Sequence, residues 1–290
     1  MSNTGLIIEE RARDIGDFLV GRLLPFRKKR MVGPFIFIDH MGPATIGNGN
    51  FMDIGQHPHI GISTLTYLFE GEIVHRDSTG AVQRIMPGAV NWMTAGKGAV
   101  HTERTPDDLR NQISTTHGFQ IWVALPLESE NIEPSFHHVG ASELPTWTDG
   151  PMKFKLIAGE AFGRKSPVPV YSPLFMLKVE TTEEKTLDLS GKLSGEIGIC
   201  VVKGAVRACG DHIEEGNMLV STSEESCVVT VMPNSLLLLF GGEPFKEERH
   251  IWWNFVASEQ KTIEAAKERW KNGEFKMVDG ENEVIPLPEY

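Results

Sequence analysis

The chain has 290 residues, enough for two domains, and carries 39 acidic against 28 basic side chains for a net charge of −11. That balance excludes bulk nucleic-acid binding, which needs a clustered basic excess to neutralise phosphate. Apolar content of 40% supports a buried core and excludes wholesale disorder.

At the start only Leu6 to Ile8 are consecutively apolar before charges begin, too few for a secretory core segment. The longest apolar run, Leu236 to Phe240, is too short to span a bilayer. Cys200, Cys209 and Cys227 show no metal or redox spacing, which points to a reducing compartment and not to a disulfide scaffold. These features predict a cytoplasmic protein with no membrane contact. Arg27-Lys28-Lys29-Arg30 has the form of a nuclear-localisation signal, relevant in a eukaryotic host, or of a phosphate contact. It is read as a solvated turn, because such short basic patterns recur by chance.

Short strands dominate the chain from Pro34 onward. Pro34 to Asp39, Thr64 to Phe69, Ile73 to His75, the residues around Val90 to Met93, and Phe119 to Leu125 are β-branched or aromatic and bounded by turn residues. No helical pattern intervenes, which favours antiparallel β, as a barrel or sandwich, over α/β. Pro126 to Pro151 has four prolines and no sustained alternation, so it reads as a connector with one short strand. Strands resume at Phe154 to Ala158, Leu174 to Glu180, Glu196 to Lys203, Val228 to Met232 and Leu236 to Phe240.

A helix is predicted over Glu259 to Lys271, N-capped by Ser258 and stopped by Asn272-Gly273. Ile263, Ala266, Lys267 and Trp270 give it one packing face. A faint repeat pairs the turns at Gly71 and Pro87-Gly88 with those at Gly204 and Glu215-Gly216. Two copies of one β-domain would produce it. The division is placed between 1–132 and 133–290, with the helix in the second part.

Two segments carry chemistry, His57-Pro58-His59 and His101-Thr102-Glu103. Side chains at i and i+2 of a strand share a face, so each segment projects two ligand-type groups in one direction. Three imidazoles and a carboxylate suit Fe, Mn, Co, Ni, Cu or Zn. Either segment alone is a weak signal; their combination is more specific. Pro58 predicts an edge, an end or a bulge for its strand. Thr102 should point the opposite way.

HPHIGISTLTYLFEGEIVHRDSTG, then MPGAVNWMTAGKGAVHTE, resembles the pirin family of the cupin superfamily. GPFIFIDHMGP (Gly33 to Pro43), HGFQIWVALP (His117 to Pro126) and the terminal segment Asn254 to Phe275 extend the resemblance over most of the chain. It implies an all-β bicupin of two antiparallel β-barrels with a C-terminal α-helix. General cupins take a Glu three or four residues after HxH, where this chain has Ser63 and Thr64. The pirin pattern takes it from the later His-x-Glu. The resemblance therefore assigns His57, His59, His101 and Glu103 to one metal, Fe(II) being usual. The corresponding slots of the second half, near Ser190 and Lys192 and near Val229 to Val231, lack ligands and imply a metal-free barrel.

His75 is read either as a cavity group beside the metal or as barrel wall. His40 is read as a structural hydrogen-bonding group, and His117 as a residue near the pocket mouth. His137, His138, His212 and His250 are read as surface or packing, and Trp92, Met93, Phe119 and Trp122 as core or cavity lining.

The resemblance implies two functions. One is a dioxygenase that opens a flavonol such as quercetin with dioxygen, Glu103 serving also as general base. The other is a metal- or redox-gated regulator binding a transcription factor or a metabolic enzyme without turnover. A structural zinc saturated by four protein ligands is the blandest reading.

Overall fold

The computed structural model describes residues 5–14, 19–47, 49–208, 210–221 and 228–289. Cys209 and Cys227 lie outside the described residues; Cys200 is buried. The chain forms two compact units. One holds Ser142–Phe245 with Gly21–Ile38 and part of the N-terminal segment; the other holds Asp39–Ala141 with Lys246–Tyr290. This differs from a division at 132/133. The terminal helix, Gln260–Lys271, falls in the unit of the histidine segments. Its buried face, Ile263, Ala266 and Trp270, joins Ile60, Val100, Phe255 and Phe275 in one apolar cluster.

The fold is all-β, in two domains of like strand order. Each domain is a pair of antiparallel sheets and not a sheet closed on itself. In the unit holding the histidine segments, a seven-stranded sheet has Val90–Thr94, Ile62–Glu70, Ser114–Ala124 and Phe35–Ile46 as consecutive members, the last belonging to this unit from Asp39 onward. A four-stranded sheet is ordered Asp53–His59, Ala99–Arg104, Ile73–Asp77, Val82–Ile85. In the other unit, Asn217–Ser221, Glu196–Lys203, Ser235–Gly242 and Leu174–Thr181 repeat the first order within an eight-stranded sheet. Lys185–Leu187, Val229–Val231, Ala205–Ala208 and Asp211–Glu214 repeat the second. The four turn glycines of the faint sequence repeat, Gly71, Gly88, Gly204 and Gly216, all have φ between +77° and +82°.

Several expectations are refined. The connector after Pro126 holds two strands, Ser135–Val139 and Thr146–Asp149. Phe136 and His138 pair with Met93 and Asn91, so a Pro-rich segment still extends a sheet edge. Ser258 does not cap the helix. Glu259 is the N-cap, without a side-chain bond, and the Ser258 hydroxyl donates to Glu130 Oε2 at 2.8 Å. Glu130 is buried against Arg249, and an ion taken from water recruits any nearby donor. At the other end Gly273 takes φ +68° and donates to Trp270 O, the left-handed stop that glycine makes without steric cost.

Candidate metal centre

The site is built on the four-stranded sheet. Asp53–His59 is its edge strand, as Pro58 requires, and His57 faces His101 directly across the pair. The register shifts between His101 and Glu103, which face His57 and Ile54. Gly55 and Gln56 therefore stand opposite Thr102 alone, a β-bulge. The bulged backbone is used elsewhere: Gln56 N–H donates to Glu283 O at 2.8 Å and Gln56 O accepts from Ile285 N–H at 2.9 Å. On the third strand His75 faces Glu103, and Asp77 faces His101. Six side chains thus share one face.

Five of them form two groups among the described residues, His57 with His59 and His101, and His75 with His101 and Glu103. Within each group the ligand atoms lie within 4.8 Å of one another, and His101 belongs to both. The four residues assigned by resemblance therefore sit in adjoining triads, not in a single four-member cluster. Sequence reasoning left His75 open and passed over Asp77. Their signal was the same i, i+2 alternation, in His75-Arg76-Asp77.

Hydrogen bonds fix which nitrogen of each ring is free. His57 Nδ1 lies 2.8 Å from Gly55 O, and His59 Nδ1 lies 3.3 Å from Asn254 O. A carbonyl only accepts, so both Nδ1 atoms carry the proton and both Nε2 atoms keep a lone pair. His59 Nε2 and His101 Nε2 are 3.1 Å apart. Two imidazole nitrogens sharing one ion at about 2.1 Å each can adopt that spacing. Outward Nδ1–H donation is also the usual support of a metal-bound imidazole. The donor set fits a divalent transition ion.

Burial sets the charges. His57, His59 and His101 are 8%, 1% and 0% exposed. Burial pushes His57 down to about 4 and holds His59 and His101 well below the usual imidazole range. All three are neutral near pH 7. Burial raises the Glu103 carboxyl, while the nearby His75 ring and hydrogen bonds from Thr66 and Gln120 oppose the rise. Thr66 Oγ1 is 3.2 Å from Glu103 Oε1 and 2.8 Å from Gln120 Oε1. Trp122 meets the His59 ring edge-on with centroids 5.0 Å apart, and Phe136 stacks on His75 at 4.6 Å.

The other predicted groups fall outside this face. His40 and His117 bond to each other, Nε2 to Nε2 at 2.8 Å, and His40 stacks on Phe119. Thr102 is buried on the opposite side, 3.4 Å from Glu281 Oε1. His138 bonds Asn91, and His212 faces Glu214.

In the other domain the strands equivalent to Asp53–His59 and Ala99–Arg104 are Lys185–Leu187 and Val229–Val231. The first slot is therefore at 185–187, ahead of Ser190 and Lys192, which lie in the next turn. Leu187, Val229, Val231, Val206 and Ala208 of that four-stranded sheet belong to the apolar core. Ser190 lines a cavity of about 370 Å³ with Leu187, Ile197, Ile199 and Leu219.

The paired sheets and the histidine face define a two-domain cupin with a candidate metal centre in one domain. Residues 18–123 match the Pirin family and residues 176–276 the Pirin C-terminal cupin domain. The chain belongs to the pirin family. It is 49% identical to a pirin-like protein of Caulobacter vibrioides over 98% of this chain and 99% of that one. A quercetin 2,3-dioxygenase structure from Acinetobacter baumannii superposes with a TM-score of 0.91 at 34% identity, covering 99% of this chain and 95% of that one. The bacterial pirin YhhW of Escherichia coli, solved in complex with nickel(II), shares the fold at a TM-score of 0.66 and 19% identity, over 83% of this chain and 100% of that one.

Proposed function

We propose that this pirin is a metal-dependent dioxygenase that opens a flavonol, quercetin or a close analogue, with dioxygen. His57, His59, His101 and Glu103 would hold Fe(II), and Glu103 would also move the substrate proton. The observation that carries the reading is the convergence of three buried imidazoles beside a buried carboxylate. The likeness to the Acinetobacter baumannii quercetin 2,3-dioxygenase supports the substrate class.

A divalent ion at this position supplies Lewis acidity that lowers the pKa of a coordinated hydroxyl. The chain's own groups do the rest. Three neutral imidazoles and one carboxylate contribute a single negative charge, which leaves a divalent site attractive to a flavonolate. Glu103 is the base for the flavonol hydroxyl. Thr66 and Gln120 hold that carboxylate in place. Trp122 packs edge-on against the His59 ring.

The test is direct. The purified protein is assayed for metal by mass spectrometry, and flavonol absorbance is followed with dioxygen present. Loss of the flavonol band, abolished in His59→Ala, is expected. His57→Ala and Glu103→Ala should each lower metal content sharply with the fold intact. Full metal loading without turnover of several flavonols overturns the dioxygenase and favours a metal-dependent regulator that binds another protein.

A further inference from the structure

Behind His101 stands a pair of residues to which the proposed reaction gives no role. His75 Nε2 lies 2.9 Å from Asp77 Oδ2, and His75 Nδ1 lies 3.3 Å from His101 Nδ1. The other oxygen of Asp77 is committed: Oδ1 accepts from Thr79 N–H at 2.8 Å, Thr79 Oγ1–H at 2.6 Å and Ala81 N–H at 3.3 Å. His75 and Asp77 are almost fully buried, so solvent does not substitute for these bonds.

We propose that Asp77 and His75 are positioning residues that set the tautomer of His101 and thereby govern how tightly the centre holds its metal. The proposal rests on the reading that His101 binds the ion through Nε2. A ring that gives its Nε2 lone pair to a metal carries its proton on Nδ1. That proton needs an acceptor, and His75 Nδ1 is the one within reach. His75 can accept there only as the Nε2–H tautomer. The Asp77 carboxylate, which accepts and cannot donate, selects that tautomer. The chain of donation runs from His101 to His75 to Asp77, and each link is forced by the next.

The relay makes an unusual demand on Asp77. In Asp77→Asn the three donors at Oδ1 hold the amide oxygen in that place, so the amide NH2 falls where Oδ2 was. A donor then faces His75 Nε2 and drives the His75 proton to Nδ1, against the His101 Nδ1 proton. His101 answers by moving its own proton to Nε2, the metal-binding atom. Exchange of a carboxylate for its amide is known to impose a wrong histidine tautomer in catalytic triads. Asp77→Ala carries no donor and leaves His75 able to keep the useful tautomer.

The probe is nickel(II), with affinity read by competition against a chromophoric chelator and folding read by circular dichroism. Asp77→Asn is expected to bind about 10- to 100-fold more weakly than the parent, the range usual for such supporting groups. Asp77→Ala is expected to lose less. A purely structural role predicts the reverse order, since Asn fills the space of Asp and Ala does not. An Asn variant that binds like the parent, or an Ala variant that binds no better than Asn, overturns the relay. As a check that needs no variant, 15N NMR of the zinc-loaded parent should show His75 protonated at Nε2; protonation at Nδ1 overturns it. His57→Ala separates this from the ligand reading. It removes binding if the ion sits among the Nε2 atoms, and leaves binding untouched if the ion sits between His75 and Glu103.

Discussion

His101 is the residue on which the chemistry turns. It is fully buried, it joins both triads, and its two ring nitrogens face different partners, His59 and His75. A buried imidazole in such company resists protonation, and that has a consequence for stability. His57, His59 and His101 are depressed in the folded chain and return to about 6.5 on unfolding. The unfolded state therefore binds more protons between pH 6.5 and the folded values, which is about 4 for His57. The stabilising contribution is complete above pH 6.5 and is lost as pH falls through that window. Each such group contributes a slope of up to about 1.4 kcal/mol per pH unit. Metal-free protein should lose thermal stability between pH 7 and pH 5, and His57→Gln should flatten the dependence. Melting curves across that range check it, and an unchanged slope in the variant contradicts the assignment to His57. Of these residues, the HxH and HxE pairs were legible because period-two spacing announces a shared face. Asp77 was not, because an Asp beside a turn has an ordinary reading as a backbone cap.

At the scale of elements, the strand Asp53–His59 is held by a segment more than 200 residues away. Gln56 is buried in the bulge, where Nε2–H donates to Glu281 O at 3.1 Å and Oε1 accepts from Val278 N–H at 2.7 Å. Arg104 reaches the same segment, with Nη2 2.8 Å from Glu281 Oε2. These bonds cover a sheet edge that would otherwise be exposed, and they keep the Gly55 carbonyl aimed at His57. Gln56→Ala should cost about 1–3 kcal/mol for each buried group left unsatisfied. It should also weaken metal binding, because His57 loses its support. Urea denaturation and a metal titration on the same variant measure both, and an effect on stability alone would show that the bulge does not serve the ligand. Gly61 shows a similar constraint after His59. It has φ +67°, and a Cβ there would lie 2.0 Å from Val256 O. Pro58 signalled the edge strand, but nothing near it announced the C-terminal cover, since the partners are distant in sequence.

Over the whole molecule one strand order is used twice with two outcomes. The four-stranded sheet of one domain presents His57, His59, His75, Asp77, His101 and Glu103 on its inner face. Its counterpart presents Leu187, Val206, Ala208, Val229 and Val231 to an apolar core. Both versions fold because the larger sheets supply apolar surface in either case, and a domain of this size draws most of its stability from that burial. Chelation should therefore strip the metal and leave the far-ultraviolet β signature unchanged. Restoring metal at about 100 times its Kd should then add about 2.7 kcal/mol of stability. Loss of the β signature on chelation would mean that the ion is structural.

Strand composition, turn residues and the two alternating pairs carried the all-β class, the doubled domain and the four expected ligands in the sequence alone. These are local signals: alternation is read within one strand, and a turn is read from a few residues. Long-range pairing set the rest. It made open sandwiches in place of closed barrels, put the terminal helix with the histidine domain, drew His75 and Asp77 in behind His101, and placed Glu103 in a triad of its own. The expectation against bulk nucleic-acid binding rests on the net charge of −11, which sums without regard to fold. A proton's position on His101 is decided by the fold, because it depends on which atom of which distant residue stands 3.3 Å away.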